Sequence, residues 1–143
     1  MSVRFRVYGD PAPQGSKVRT RWGMREASTR LMPWREAIVS QIMRDGYDDP
    51  DTRMEGPLVV RVTFIFARPS AHYGTKKGTK YLKDNAPYYK TTAPDLDKLC
   101  RSLGDALTQG GAIKDDDLIV CWHAEKVYGE RPGAVVEVMA ATL

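Results

Sequence analysis

The hydrophobic pattern along the chain predicts strands at its beginning, middle and end. Ser2–Tyr8 alternates apolar and charged or polar side chains, which is typical of a half-buried strand. Residues 57–67 are rich in β-branched and aromatic side chains, and the run from Val62 to Phe66 predicts a central position in the sheet. Residues 118–129 and 133–142 predict two further strands that form a hairpin.

Two segments have the apolar spacing of amphipathic helices. Residues 33–45 begin with a proline, whose missing N–H is tolerated in a first helical turn. Residues 97–108 carry apolar side chains at three- and four-residue intervals, and Gly110 and Gly111 predict the end of that helix. We therefore predict one α/β domain over residues 1–143, with a four-stranded mixed or antiparallel sheet and two main helices. No glycine fingerprint follows a strand, which argues against a Rossmann-like enzyme.

Composition narrows the class of protein. The 143 residues fit one domain, and the net charge of +4 weakly favours a polyanionic partner. No apolar run approaches the ~18 residues that a membrane span needs, and the charged start does not resemble a secretory signal. Cys100 and Cys121 lack metal-ligand spacing, lie in apolar runs and predict buried free thiols in a reducing compartment. We therefore expect a cytoplasmic protein without membrane contact.

Acidic residues flank the second predicted helix at both ends. Asp95 and Asp97 precede or begin it, and the triplet 115–117 follows it. The helix rises roughly 17 Å at ~1.5 Å per residue, and the extended return can cover up to ~25 Å at ~3.3 Å per residue. Asp116 can therefore lie beside Asp95 and Asp97. Carboxylate oxygens are ligands that Mg²⁺ prefers, and it completes its shell with water and substrate phosphate.

The same acids have an ordinary structural interpretation. Carboxylates near a helix N-terminus are favoured by capping and by the helix dipole. An acidic triplet before a strand is often a solvated turn. Spacing alone does not decide between these roles and a metal site.

The segment resembles the core motif of the RusA-type Holliday junction resolvases, which are common in phages and prophages. That motif has Asp-x-Asp at a helix start, a basic residue one turn later, Asp-Ala-Leu near the helix end and Asp-Asp before a strand. Its counterparts here are Asp95-Leu96-Asp97, Arg101, Asp105-Ala106-Leu107 and Asp115-Asp116.

The resemblance implies a set of site residues and a reaction. The family's three metal-binding catalytic aspartates correspond to Asp95, Asp97 and Asp116. The family's basic residue is commonly Lys, and Arg101 or Lys98 could fill that role here. The resemblance also implies Mg²⁺ as cofactor, with Mn²⁺ able to substitute, and a homodimer that acts on four-way DNA junctions. It places the protein in the bacterial host cell if the chain is phage-encoded.

Two basic segments predict contacts with DNA. Lys17, Arg19 and Arg21 follow a turn-rich stretch and predict a flexible arm that orders on a phosphate backbone. Residues 68–93 carry Lys76, Lys77 and Lys80 among interleaved tyrosines, and their glycines and prolines predict a loop without regular structure. Lys98 is also expected to face DNA. A solvated surface arm and a disordered insertion are the structural alternatives.

Together these features predict a divalent-metal-dependent endodeoxyribonuclease that resolves four-way junctions by paired symmetric nicks. A non-catalytic nucleic-acid-binding protein is the main alternative, in which the acids are caps and turns. A less selective metal-dependent nuclease would keep the metal site but not the preference for junctions.

Overall fold

A computed structural model describes residues 2–15, 17–20, 23–26 and 29–142, with side chains described for 2–15 and 29–142. The strands in this part of the chain are β1 (Ser2–Tyr8), β2 (Lys17–Thr20), β3 (Gly23–Glu26), β4 (Leu58–Ala67), β5 (Tyr73–Lys76), β6 (Thr79–Leu82), β7 (Ile119–Gly129) and β8 (Gly133–Ala140). The helices are α1 (Leu31–Arg44) and α2 (Leu96–Gln109), and single 3₁₀ turns span Ser70–His72 and Asp116–Leu118.

The main sheet has four strands in the order β1-β8-β4-β7. β8 runs antiparallel to both β1 and β4, whereas β4 and β7 are parallel, so the sheet is mixed. This arrangement confirms the predicted single α/β domain with a four-stranded sheet and two main helices. β4 lies between β8 and β7, which confirms its predicted central position. The same order shows that the prediction of a hairpin formed by the last two strands was wrong, because β7 and β8 each pair with β4.

Both helices pack on one face of this sheet and form the core with it. The alternation in β1 buries Val3, Phe5 and Val7 on that face. The helix residues buried against it include Trp34, Ile38 and Ile42 from α1 and Leu99, Leu103 and Leu107 from α2. Each such side chain contributes ~1.5–3 kcal/mol by leaving water, so this face fixes the position of α2.

Helix α2 ends in a tight return that brings the acidic triplet back towards the start of the helix. Gly110 donates a backbone hydrogen bond to Ala106 over 2.8 Å, and Gly111 has a φ of +80°, which suits glycine. The return is buried at Ala112, whose carbonyl accepts a bond from Met54 over 3.1 Å. The backbone N–H of Lys114 also donates to the Met54 carbonyl over 3.0 Å. These bonds hold the chain immediately before the acidic triplet 115–117 in an extended conformation.

The prediction that residues 68–93 lack regular structure was wrong. β5 and β6 form an antiparallel hairpin within this segment. Its two-residue turn has positive φ at both Lys77 (51°) and Gly78 (79°), the geometry of a type I′ turn. Gly74 does not break β5, because the Tyr81 ring covers it so closely that an added Cβ would lie 2.6 Å from the Tyr81 hydroxyl.

Smaller differences concern the bounds of elements and the thiols. Helix α1 begins at Leu31, two residues earlier than predicted, so Pro33 is its third residue. Cys100 and Cys121 are free thiols, but both are only partly buried, so the prediction of full burial was wrong. Among the described residues, no helix has the length and apolar character needed to span a membrane.

Candidate active site

Two of the three predicted aspartates line the same cleft. Asp97 in the first turn of α2 and Asp116 in the 3₁₀ turn before β7 border a cavity of about 460 Å³. Arg101, one turn after Asp97, also lines it, and Trp122 from β7 contributes an aromatic wall. The cleft therefore brings two carboxylates and one guanidinium together from two ends of the motif.

A glycine in α2 permits this close approach. A Cβ at Gly104 would lie 3.3 Å from the Cβ of Asp116, 3.7 Å from its Oδ2 and 3.7 Å from Cζ2 of Trp122. Such a contact is tighter than normal packing, so a larger residue at position 104 would displace the Asp116 turn. The absence of a side chain at Gly104 thus allows Asp116 to lie directly against α2.

Asp95 lies at the helix N-cap but does not use its side chain as a cap. Its carbonyl accepts the backbone hydrogen bond from Leu99 over 3.1 Å, while its carboxylate makes no capping bond. Instead, Oδ2 lies 3.8 Å from Nζ of Lys98, and both side chains are substantially exposed. Asp95 and Lys98 line a second cleft of about 660 Å³, which Lys90 also borders.

The donors present fit a hard divalent cation, with one qualification about their number. Across residues 2–15 and 29–142, no three His, Cys, Asp or Glu side chains are arranged closely enough to hold a metal ion. Mg²⁺ is commonly bound by only one or two protein carboxylates together with waters and substrate phosphate. Asp97 and Asp116 in one open cleft meet that requirement, whereas Asp95 lines the second cleft.

The acids around Asp116 have distinct electrostatic roles. Burial raises the pKa of Asp116, and a hydrogen bond with Asp115 and the charges of Asp105 and Asp115 raise it further. In contrast, a hydrogen bond from the backbone N–H of Asp117 lowers the pKa of Asp115. That bond is 3.0 Å long and makes Asp115 the cap of the 3₁₀ turn. Asp115 is therefore the structural acid of the triplet.

Cys100 also lines the first cleft. Burial raises the pKa of its thiol to about 11, with the charge of Asp97 adding to the effect. The thiol therefore stays protonated at neutral pH and is not a ready thiolate nucleophile there.

A family model described as Endodeoxyribonuclease RusA matches residues 9–139, nearly the whole chain. The chain belongs to the RusA endodeoxyribonuclease family. A comparison with curated proteins finds no match. Membership of the RusA family identifies a junction-resolving endodeoxyribonuclease, and the matched span includes both clefts and both basic hairpins.

Of the residues predicted to contact DNA in this RusA-family chain, Lys98 lies on α2 and five others lie in two hairpins. Lys76, Lys77 and Lys80 are all exposed on the β5–β6 hairpin, and Nζ of Lys80 lies 4.1 Å from the centroid of the Tyr73 ring. Lys17 and Arg19 lie on β2 of the β2–β3 hairpin, whereas Arg21 and the side chains of the other two are outside the described residues.

The chain before the β2–β3 hairpin is attached to α2. The buried hydroxyl of Ser102 donates to the Ala12 carbonyl over 2.7 Å and to the Leu99 carbonyl over 3.0 Å. The Gln14 N–H donates to the Lys98 carbonyl over 3.0 Å. These bonds tie the chain that leads into the basic hairpin to the helix that carries Asp97 and Arg101.

Sequence reasoning missed Lys126, which holds the loop before Asp95. From the middle of β7, its Nζ donates to the carbonyls of Thr92 and Pro94, both over 2.8 Å. Its own carbonyl accepts a bond from the Lys90 N–H over 3.0 Å. Residues 90–94 are thus fixed at both ends to the strand that follows Asp116. A lysine within a strand carries no sequence signal for such a role.

Proposed function

We propose that this RusA-family protein is a divalent-metal-dependent endonuclease that resolves four-way DNA junctions by paired symmetric nicks. The observation that carries the proposal is the shared cleft of Asp97, Asp116 and Arg101. Asp95, Asp97 and Asp116 hold Mg²⁺, or Mn²⁺ in its place. Held by these carboxylates, a divalent cation would supply activation of a water molecule and positive charge near the scissile phosphate.

The chain's own groups bind and orient the DNA strand. The Arg101 guanidinium, exposed beside both carboxylates, contacts the scissile phosphate with charge-assisted hydrogen bonds. Lys98 and the basic hairpins, including Lys17, Arg19 and Arg21, bind neighbouring phosphates. Two symmetric nicks require two such clefts, which a C₂ homodimer supplies in a symmetry that matches the junction.

Cleavage of a labelled four-way junction, with and without Mg²⁺ and beside a linear duplex of the same sequence, tests this function. We expect Mg²⁺-dependent nicking of the junction alone, at symmetric positions in opposing strands. Binding without cleavage would indicate a non-catalytic DNA-binding protein. Equal cutting of the duplex would indicate a nuclease without selectivity for junctions.

The β5–β6 hairpin gives a separate prediction about affinity. Replacing Lys76, Lys77 and Lys80 with Ala should weaken junction binding and reduce its salt dependence by up to ~0.9 log units per lost phosphate contact. Binding measured from low to moderate salt tests this. The free energy of unfolding should change little, because all three side chains are exposed.

The control for the hairpin is Arg44→Ala, which removes one positive charge from the last turn of α1. It should leave the salt slope unchanged. An unchanged slope in the hairpin variant would instead show that the hairpin does not contact the phosphate backbone.

Lys126→Met should impair cleavage more than junction binding. The change removes the two bonds that hold the loop before Asp95, so we expect a ~10- to 100-fold lower rate, or a similarly higher Mg²⁺ requirement. Lys126→Arg retains a donor and should recover much of the loss, and Lys83→Met on the exposed loop is the control. A normal rate and a normal Mg²⁺ dependence in folded Lys126→Met would contradict this role.

A further inference from the structure

The sheet face opposite the two helices has an ordered charge pattern. Strand register aligns its residues in rows that run across β1, β8, β4 and β7. In that strand order, one row consists of Arg4, Glu137, Arg61 and His123, and the adjacent row on this face consists of Arg6, Val135, Thr63 and Glu125. The positive charge of the second row, on Arg6, thus lies on one edge strand and the negative charge, on Glu125, lies on the other.

We infer that this face binds the same face of a second copy of the chain, through a two-fold axis parallel to the strands. The inference rests on the homodimer in the proposed function and names the surface that forms it. Such an axis passes between β8 and β4 and places β1 over β7 of the second copy. Arg6 then lies opposite Glu125 of the second copy, and Arg61 opposite Glu137, which gives four ion pairs by symmetry.

The alternative in-plane axis is excluded by charge. A two-fold axis perpendicular to the strands would place β1 over β1 of the second copy. Arg4 and Arg6 of one copy would then lie opposite the arginines at the same positions of the second copy. Like charges at such close range destabilise an interface. Both axes keep the strands of the stacked sheets aligned, so the charges select the axis parallel to the strands.

The geometry of sheet packing is compatible with these contacts. The ~30° angle between packed sheets displaces the edge strands by only about one residue, which an arginine side chain can span. Contacts within one chain already orient the acids, because Arg4 pairs with Glu137 and the Thr63 hydroxyl donates to Oε1 of Glu125 over 3.2 Å. The carboxylates are therefore held over the sheet surface before the second copy arrives.

The middle of the face is suited to burial. Val135 is 44% exposed although it lies on an inner strand, and it would lie opposite Thr63 of the second copy. Four strands at ~4.8 Å and seven residues at ~3.3 Å give a flat footprint of about 19 by 23 Å, or roughly 440 Å² on each copy, which is the size of a small, reversible interface. Val135 and Thr63 thus form a less polar patch beside the central charges of Glu137 and Arg61.

Charge reversal tests the surface directly. Arg6→Glu and Glu125→Arg should each raise the dissociation constant of the dimer at least ~100-fold, because symmetry introduces each repulsion twice. The double variant should restore it to within about tenfold of the unchanged protein. Sedimentation equilibrium against the 16.1 kDa chain mass measures this, and thermal melting checks that each variant folds.

The outcomes separate the surface from the function. Arg44→Glu on α1 makes the same charge change away from this face and should leave the dimer intact. A dimer that persists in both single variants would overturn the surface but leave the proposed homodimer standing. If the protein without substitutions were a monomer, both the proposed surface and the proposed homodimer would be wrong. Nicking of junctions is tested separately, by the cleavage assay on the labelled four-way junction.

A cross-link provides a second measurement that does not depend on disrupting the protein. Arg6 and Glu125 are three strand spacings apart in one chain, about 14 Å, so a bis-maleimide clearly shorter than this distance cannot join cysteines at both positions within one chain. In a chain whose Cys100 and Cys121 are replaced by Ser, a short bis-maleimide should join Arg6→Cys and Glu125→Cys of two copies. We expect a covalent species of twice the chain mass, and a monomer alone would overturn the proposed face.

Discussion

Asp97→Asn and Asp116→Asn are each expected to abolish junction cleavage, while junction binding stays unchanged or becomes tighter. Each change removes a charged donor from the shared cleft but leaves the basic hairpins intact. Losing several kcal/mol of charge stabilisation corresponds to at least a ~10³-fold lower rate. Single-turnover cleavage and gel-shift binding of the same labelled junction measure the two effects separately. Asparagine has nearly the shape of aspartate, so the fold should be retained.

Asp95→Asn decides how many carboxylates the site needs. Asp95 lies in the second cleft, paired with Lys98, and the proposal includes it as a third ligand. We therefore expect its loss to abolish cleavage as well. Near-normal cutting by Asp95→Asn would reduce the set to Asp97 and Asp116.

The neighbouring acids provide matched controls. Asp117→Asn changes an exposed carboxylate one residue from Asp116 and should leave cleavage close to normal. Asp115→Asn preserves a side-chain oxygen that can cap the 3₁₀ turn, so it should also retain activity. Strong loss at Asp117 with none at Asp116 would mean that the site was assigned one residue out of register.

The sheet and helices could be predicted because their patterns reflect one buried face. In β1, every second residue enters the core, so alternation alone identifies the strand. In β4, the many β-branched and aromatic residues correspond to pairing with strands on both sides. Helix rise and return length showed from the sequence that Asp97 and Asp116 can lie close together, but they did not require it.

Other features depend on contacts that one-dimensional patterns do not contain. Gly74 and Gly78 predicted an irregular segment, because glycine usually interrupts a strand. In the β5–β6 hairpin, however, the Tyr81 ring covers Gly74, and the turn requires the positive φ of Gly78. Lys126 acts on backbone carbonyls 32 and 34 residues away, which no local pattern encodes. Asp95 lies in the second cleft because it precedes the helix, so helical spacing does not apply to it.

Arg101→Ala should lower the cleavage rate by roughly 10²- to 10³-fold, the typical loss for one group that stabilises transition-state charge. Arg101 is exposed, lines the cleft with Asp97 and Asp116, and makes no ion pair with any described residue. Its guanidinium is thus available to a phosphate, and junction affinity should change far less than rate. Arg101→Lys should recover much of the rate, because a point charge suffices for a phosphate. A helix-surface role would instead give under ~1 kcal/mol of lost stability and little change in rate.

Lys98→Ala discriminates between the two cations that could fill the family's lysine role. Lys98 is rotated about 100° around α2 from Asp97 and lines the second cleft, where it lies 3.8 Å from Asp95. A contact with neighbouring DNA should therefore appear as weaker junction binding with a nearly normal single-turnover rate at saturating enzyme. A collapse of that rate in Lys98→Ala, together with a normal rate in Arg101→Ala, would transfer the role at the scissile phosphate to Lys98. It would also imply that the DNA strand enters through the second cleft and reaches Asp97 and Asp116 from the side of Asp95.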